Sequence, residues 1–335
     1  MGVLCGLLAL LSWGCTEREV RQRFERAEAY RQKGLVDEAI AEYRAILALR
    51  PKAVDARNNL GFLYARKGEF DRAIAEYEEA LRVKPDFAEA HYNLGVACAA
   101  KGLPERAVAA YQRAIQAQPG HAEAHNNLGA LHAAQGRFQE ALAEYEQAVR
   151  LKTDFAEARN NLGLLYAAQG RFQEAIAEYE QAVRLRPDDA EIRNNLGSAC
   201  AETDRLNEAI RHYEEALRLR PDYRTARDNL TKVRRMLEEA RKARAAGEMR
   251  ARHILVRTEA EARALLREIE VGASFEDLAR RRSLDPSGQA GGDLGGFRPG
   301  DLLPEFEQEV RRLAPGQVGG PVQTRAGYHV IQRVY

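Results

Sequence analysis

A repeat with a period of 34 residues is the feature that most constrains how this chain can fold. Residues 122–129 (AEAHNNLG) recur as residues 156–163 (AEARNNLG), and the same phase extends over most of the chain. Self-similarity of this length is typical of arrays in which each unit is a small group of helices that packs only against its neighbours. The sequence therefore predicts an all-α solenoid with units over 20–53, 54–87, 88–121, 122–155, 156–189 and 190–223.

The units share a small set of residues at fixed positions. Leu and Gly occupy the seventh and eighth positions of units two to six, and the second helix of each unit has an Ala with a Tyr four residues later. The turn between the helices has Gly34, Gly68, Gly102, Gly136 and Gly170, and Asp204 in the sixth unit. Glycine suits the positive φ at which many helices end. The pattern resembles the tetratricopeptide repeat (TPR), which implies a superhelix of helix pairs, and residues 224–245 are predicted to form a capping helix and linker.

An asparagine recurs at the sixth position of units two to six and at the same position of the capping helix. These residues are Asn59, Asn93, Asn127, Asn161, Asn195 and Asn229. The TPR resemblance places the first helix of each unit on a concave face, and an Asn side chain offers an acceptor and two donors that can bracket a peptide group. The column resembles the asparagine ladder of the O-linked N-acetylglucosamine transferase solenoid, which implies a groove that binds extended polypeptides. The alternative is that these side chains only cap or solvate the helices.

Two other binding modes are disfavoured by the residues of the repeats. A carboxylate clamp needs Lys near the start of each unit, where this chain has acidic residues. His121, His125 and His132 lack Cys or carboxylate partners at metal-ligand spacing. We therefore expect no metal site and no cofactor.

The periodicity changes after a charged helical linker over residues 241–250. A strand, two helices, a glycine-rich loop with a short strand, a third helix and two final strands are predicted, and they indicate a small α/β domain over 248–335. Its glycines match neither dinucleotide-binding nor P-loop spacing. Five blocks resemble, in order and spacing, those of the parvulins, which are peptidyl-prolyl cis-trans isomerases: RHILV (252–256), SLDPS (283–287), GGDLG (291–295), FE (306–307) and GYHVI (327–331).

The parvulin resemblance implies an enzyme without a cofactor, because rotation about an Xaa-Pro bond makes and breaks no covalent bond. It implies that the two histidines pair on adjacent strands, that a threonine hydrogen-bonds to the pair, and that an aspartate lies near the carbonyl of the rotating bond. The residues so assigned are His253, His329, Thr324 and Asp285 as catalytic residues, and Leu302 and Phe306 as the pocket for the proline ring. The loop after residue 256 lacks the basic cluster of phosphate-directed parvulins, so phosphoserine-proline specificity is not expected.

Together the two parts predict a folding factor for exported proteins. The solenoid would recruit unfolded or extended polypeptides that contain Xaa-Pro, or a protein partner, and the C-terminal domain would isomerise them. The alternative is a non-catalytic TPR scaffold or holdase chaperone whose parvulin-like domain only binds peptides.

The N-terminus indicates export. Residues 1–13 contain no charge, and the apolar run over 3–11 is too short to span a bilayer and suits a secretory signal. The sequence LSWGC (11–15) resembles a lipobox, which implies a signal peptide over 1–14 and lipidation of Cys15. We therefore expect a lipid-anchored protein of the bacterial cell envelope. The alternative is a cytoplasmic protein with a hydrophobic N-terminus.

The charge balance disfavours a nucleic-acid-binding protein, and the spacing of the cysteines disfavours a disulfide-linked one. Lys and Arg number 51 against 50 Asp and Glu, a balance that disfavours a nucleic-acid partner because such proteins present a cationic surface. Cys98 and Cys200 lie three repeats apart, and in a solenoid only adjacent repeats touch. We expect both to be buried, unpaired thiols.

Overall fold

The protein is described by a computed structural model that covers the backbone of residues 2–335 and the side chains of residues 16–335 except Arg244. The side chain of Cys15, the predicted lipidation site, lies outside the described residues, as do those of the predicted signal peptide. Among the described residues, no helix is both long and apolar enough to cross a bilayer.

The first two thirds of the chain is a series of helix pairs, which confirms the predicted solenoid. Helices α3, α5, α7, α9 and α11 begin at the first residues of units two to six, whereas α1 begins well ahead of the first unit. The helices are α1 (Gly2–Gln32), α2 (Val36–Leu49), α3 (Val54–Arg66), α4 (Phe70–Val83), α5 (Ala88–Ala100), α6 (Pro104–Ala117), α7 (Ala122–Ala134), α8 (Phe138–Leu151), α9 (Ala156–Ala168), α10 (Phe172–Leu185), α11 (Ala190–Glu202), α12 (Leu206–Leu219) and α13 (Arg224–Ala245).

The glycine at the eighth position makes room for a tyrosine ring of the same unit. A Cβ atom added to Gly95 would lie 2.5 Å from Cε1 of Tyr111, and one added to Gly163 would lie 2.6 Å from Cε1 of Tyr179. Such distances are shorter than packed side chains allow, so any larger residue would displace the ring. The group that approaches the eighth-position glycine is therefore the aromatic ring of its own unit.

The turns between the paired helices have the positive φ that their glycines predict. The five turn glycines have φ between +73° and +77°. Asp204 has φ +57° and, among the described residues, is the one non-glycine residue with a positive φ. The buried thiols are also confirmed, since Cys98 and Cys200 are both buried and free.

The C-terminal part is a four-stranded antiparallel sheet in the order β2-β1-β4-β3, with helices on both faces. Its elements are β1 (Met249–Val256), α14 (Glu259–Glu270), α15 (Phe275–Arg282), a 3₁₀ turn (Pro286–Ala290), β2 (Asp293–Phe297), α16 (Pro304–Arg312), β3 (Val318–Thr324) and β4 (Gly327–Arg333).

Alternate residues of β1 divide the core of this part in two. Ile254 and Val256 pack with residues of α14 and α15 on one face. Met249 and Ala251 pack with Phe306 of α16 on the other face. Because side chains of a strand alternate between the faces of a sheet, His253 belongs to the α16 face and Arg252 to the α15 face.

The chain divides into two compact units, residues 1–158 and 159–335. The sheet therefore shares a unit with the last helix pairs of the solenoid and with α13. The domain limits predicted from the sequence, with a linker at 224–245, remain a prediction.

Candidate active site

Two histidines from adjacent strands meet in the interior of the sheet domain. In the β1–β4 register His329 lies opposite Leu255, two residues along from His253, so both side chains lie on the same face. Their Nδ1 atoms are 2.9 Å apart and their rings stack with centroids 5.2 Å apart. Both residues are buried.

Polar groups hold both ends of this pair. On one side Thr324 Oγ1 lies 2.7 Å from His329 Nε2. On the other side, His253 Nε2 lies 3.3 Å from Asp285 Oδ1 and 3.2 Å from Ser287 Oγ. The four residues predicted to be catalytic are therefore brought together in one chain of contacts.

The carboxylate end sets the direction of the hydrogen bonds in that chain. The ionised carboxylate of Asp285 can only accept, so His253 carries its proton on Nε2 and donates it there. With both rings neutral, Nδ1 of His253 accepts from Nδ1 of His329. Nε2 of His329 is then an acceptor for the Thr324 hydroxyl, whose oxygen also accepts from the backbone N–H of Ala326 at 3.1 Å. The assignment follows from the hydrogen-bond network, as tautomers normally must.

This arrangement needs both imidazoles to be neutral, and the electrostatics agree. Burial lowers the pKa of His253, although Asp285 opposes this effect. Burial and, next, the neighbouring His253 lower the pKa of His329 to about 4. At neutral pH the pair is therefore uncharged.

Asp285 is held by the segment that follows α15. The N–H of Leu284 donates to the carbonyl of Leu255 at 2.8 Å, and the N–H of Ser287 donates to Asp285 Oδ1 at 2.9 Å. Burial acts to raise the pKa of Asp285, but hydrogen bonds from Ser287 and His253 outweigh it and leave that pKa below its ordinary value. Asp285 is thus an ionised acceptor at neutral pH.

The predicted proline pocket lies against the histidine pair. The ring of Phe306 meets those of His253 and His329 edge to face, with centroids 5.7 and 5.4 Å apart. Leu302 packs against the same buried cluster. These side chains form an apolar surface whose rear wall is the two imidazoles.

Sequence reasoning missed two residues that shape the site. Ser287 contacts His253 directly. Glu307 is buried and accepts hydrogen bonds from the N–H groups of Gly300, at 2.8 Å, and Leu302, at 3.0 Å, so it fixes the loop that presents the pocket leucine. Glu307 belongs to a block that carried the resemblance, but an acidic residue beside a pocket phenylalanine gives no sign of its partners.

The glycine-rich block has a steric role beside His253. The N–H of His253 donates to the carbonyl of Gly292 at 2.9 Å. Gly292 has φ +83°, and a side chain there would overlap the carbonyl oxygen of His253. The block therefore allows β2 to lie directly against the strand that bears the histidine.

The recurring asparagines are partly exposed, and several use their amide nitrogen inside the solenoid. Nδ2 of Asn93 donates to Oδ1 of Asn58 at 3.0 Å, and Nδ2 of Asn229 donates to Oδ1 of Asn194 at 3.1 Å. Asn195 makes the same bond to the preceding repeat, whereas Asn59 and Asn127 donate to tyrosine hydroxyls. The predicted groove counted on one acceptor and two donors at each asparagine, but part of the donors is used within the solenoid. A role in a groove stays a prediction and would fall mainly to the side-chain oxygens.

Comparison with known proteins separates the two parts of the chain. Residues 6–236 match the sequence profile of the TPR family described as the cilia and flagella-associated protein 70 C-terminal domain. The chain belongs to this TPR family. Residues 226–334 of the TPR chain match the PPIC-type PPIase domain, so its C-terminal part is a rotamase domain of the parvulin type.

Relatives of the C-terminal part include folding factors. The TPR chain is 52% identical over 92 residues to the chaperone SurA of Aromatoleum aromaticum, a match that covers 25% of this chain and 21% of that protein. It is 46% identical over 86 residues to the foldase protein PrsA 2 of Bacillus anthracis, covering 25% of this chain and 30% of that protein. The matched region is thus less than a third of each relative.

A solved structure resembles the chain in fold alone. The crystal structure of the APC/C hetero-tetramer Cut9-Hcn1 superposes with a TM-score of 0.56 and 22% identity, covering 68% of the TPR chain and 45% of that chain.

The neutral histidine pair predicts a pH dependence of stability. In the unfolded chain a histidine binds a proton below pH ~6.5, whereas folding keeps His329 neutral down to about pH 4. The stabilisation from the neutral pair is therefore fully present above pH ~6.5 and is lost as the pH falls towards about 4. Amide exchange of β1 and β4 measured between pH 7 and pH 4.5, and corrected for intrinsic exchange, should show falling protection. A His329→Gln chain should show a shallower fall; an equal fall in both chains would contradict this origin.

Proposed function

We propose that the chain is a peptidyl-prolyl cis-trans isomerase that acts as a folding factor, with its TPR solenoid recruiting the polypeptides on which the C-terminal domain acts. The observation that carries the proposal is the apolar surface of Phe306 and Leu302 set against a neutral, fully hydrogen-bonded histidine pair. Such a surface suits a proline ring, and a carboxylate stands beside it.

Isomerisation requires no bond making or breaking by the protein. The barrier comes from the partial double bond of the amide, so the enzyme must favour the twisted amide over the planar one. A twisted amide has lost resonance and part of its dipole, and an apolar, water-poor site therefore disfavours it less than it disfavours the planar form. In the proposed mechanism Phe306 and Leu302 hold the ring, while Asp285 and Ser287 lie on the side where the preceding carbonyl rotates.

The charge distribution around the site supports unmodified substrates. The loop between β1 and α14 presents Arg257 as its basic side chain, and Glu261 accepts hydrogen bonds from the N–H groups of Arg257 and Thr258. A phosphate would meet that carboxylate. Substrates with Xaa-Pro and no phosphate are therefore proposed.

For the solenoid we propose extended polypeptides as partners. Asn93 and Asn229 commit one amide proton to the preceding repeat, which fixes the side chain and leaves its Oδ1 to accept a hydrogen bond from a backbone N–H of a client. A fixed acceptor costs less entropy on binding than a mobile one. The recurrence of asparagine once in every 34 residues suits a client chain that is bound through its backbone.

Export and lipid anchoring at Cys15 are part of the proposal. They rest on the uncharged apolar start of the chain and on LSWGC at 11–15. A place in the cell envelope would give the domain access to newly exported, unfolded proteins.

A binding protein without turnover is the second candidate, because a relative of the C-terminal domain is named a chaperone. It would bind proline-containing segments through the same pocket. The two candidates differ in whether a short peptide is isomerised.

Replacing the phenylalanine of the proposed pocket should strongly lower the rate of isomerisation. Phe306→Ala in the full chain should lower kcat/KM on a proline tetrapeptide by at least about a hundredfold, equivalent to ~2.7 kcal/mol, because the ring surface is lost. Phe275→Ala is the matched control: Phe275 is equally buried but packs on the other face of the sheet. Both changes should cost about 3–5 kcal/mol of stability, so rates are measured at low temperature and repeated with the milder Phe306→Leu and Phe275→Leu. Equal rates for the folded Phe306 and Phe275 variants would refute the site, and a wild-type chain that binds the peptide without isomerising it would favour the second candidate.

Two sets of variants distinguish the contact of the asparagines with a client from their hydrogen bonds between repeats. Replacing Asn93, Asn127 and Asn161 together by Ala should weaken binding of a long unfolded client by about ten- to a thousandfold, with each lost bond contributing roughly 0.5–1.5 kcal/mol. The control Asn58→Ala with Asn194→Ala removes bonds between repeats but leaves every sixth-position asparagine in place. Client affinity and unfolding midpoint are measured for both. If the control loses as much affinity as the triple variant, the asparagines act only within the solenoid.

A further inference from the structure

The turn of the sixth repeat differs from the others because it has an aspartate in place of the glycine. The five other turns place glycine at this position, and their glycines have φ of +73° to +77°. The sixth has Asp204 at φ +57°. A non-glycine residue in this region costs free energy, although Asp and Asn tolerate it better than other residues. An aspartate at this position can also make contacts that a glycine cannot.

The carboxylate of Asp204 forms an ion pair with Arg252 of β1. The same guanidinium lies 3.0 Å from Glu276 of α15 and 3.3 Å from Gln332 of β4. The Arg252 side chain is 13% exposed and the Asp204 side chain 34%, so solvent screens the pair from the aspartate side. One arginine thus connects the turn of the last repeat to a strand and a helix of the rotamase domain.

Arg252 precedes His253 on the same strand and faces the opposite side of the sheet. Glu276 lies on α15, the helix whose C-terminal end leads into the segment with Asp285 and Ser287. The contact is therefore behind the candidate active site and leaves the proline pocket untouched.

Among the described side chains, the Asp204–Arg252 ion pair is the salt bridge that joins the last repeat to the domain. The covalent connection runs from the end of α13 through Gly247, which has φ +79°. A cleft of about 750 Å³ opens between the two parts and is lined by Gly170, Asp204, Arg205, Arg252, Glu276 and Arg333, among others. Interfaces of this open and polar kind allow movement by default.

We propose that Asp204 and Arg252 form a latch that docks the turn of the sixth repeat on the rotamase domain. Without the latch the domain swings about the segment at Gly247. With it, the last repeat and the proline pocket keep a fixed orientation, so that a client held by the solenoid is presented to the pocket. The presentation of clients rests on the proposed function; the docking does not.

Asp204→Asn is the variant that tests the latch. Asparagine tolerates the left-handed backbone as well as aspartate does, and Arg252 keeps Glu276, so no buried charge is left without a partner. The control is Asp222→Asn, which removes an exposed carboxylate from the loop after α12. Distances are measured by electron paramagnetic resonance between spin labels at Arg211 on α12 and Gln308 on α16, in full-length chains whose native cysteines are replaced by alanine.

The unsubstituted chain and the Asp222→Asn control should each give one narrow distance distribution. The distributions of Asp204→Asn and Arg252→Gln should be at least twice as wide as that of the unsubstituted chain. An Asp204→Asn distribution as narrow as that of the control would overturn the latch.

For activity, kcat/KM of Asp204→Asn on a tetrapeptide should stay within about twofold of that of the unsubstituted chain, whereas on a long unfolded client it should fall by about three- to tenfold through a higher KM. Broadened distances with an unchanged long-client KM would overturn the role in presentation. A failure of the proposed function is distinguishable, because it would remove tetrapeptide activity from the unsubstituted chain and leave the distance result standing.

Discussion

The contact between His253 and His329 is the interaction on which the candidate active site depends. It exists because β1 and β4 pair in a register that places two histidines on one face with their Nδ1 atoms 2.9 Å apart. Slipping that register by one residue would send one ring to the other face. Two adjacent imidazoles could repel one another, but burial keeps them neutral, and a donor at one end and a carboxylate at the other let each give and receive one hydrogen bond. Phe306 then rests on a surface with no unpaired polar group at the histidine pair.

The solenoid obeys an equally local constraint. Each eighth-position glycine receives the ring of the tyrosine in its own unit, and each turn glycine allows the chain to reverse. These contacts repeat without change, so the informative residues are the ones that differ. Asp204 is such a residue, since it replaces a glycine and binds Arg252. Within the second compact unit, the turn of the sixth repeat thus has a residue whose ion pair lies outside the repeat.

Features that repeat along the sequence could be predicted from it, whereas contacts between residues far apart in the sequence could not. Helix starts could be predicted from the period, because every unit packs in the same way. His253, Asp285, Phe306 and His329 were predicted from the blocks that resemble parvulins, and Leu302 and Thr324 from their positions between those blocks. Ser287 and Glu307 were missed because their partners, His253 and the N–H groups of the 300–302 loop, are defined only by tertiary geometry. The amide bonds of Asn93 and Asn229 were missed for a related reason: the period shows that asparagine recurs, but not that its nitrogen reaches the fifth position of the preceding unit.

The direction of the hydrogen-bond chain is the central claim, since it explains why Thr324, His329, His253 and Asp285 occur together. Nitrogen-15 NMR of the two imidazoles in the folded chain at pH 7 measures it most directly. The structure predicts that His329 carries its proton on Nδ1 and accepts at Nε2, and that His253 carries its proton on Nε2 and accepts at Nδ1. A proton on Nε2 of His329, or either ring protonated on both nitrogens at that pH, would contradict it.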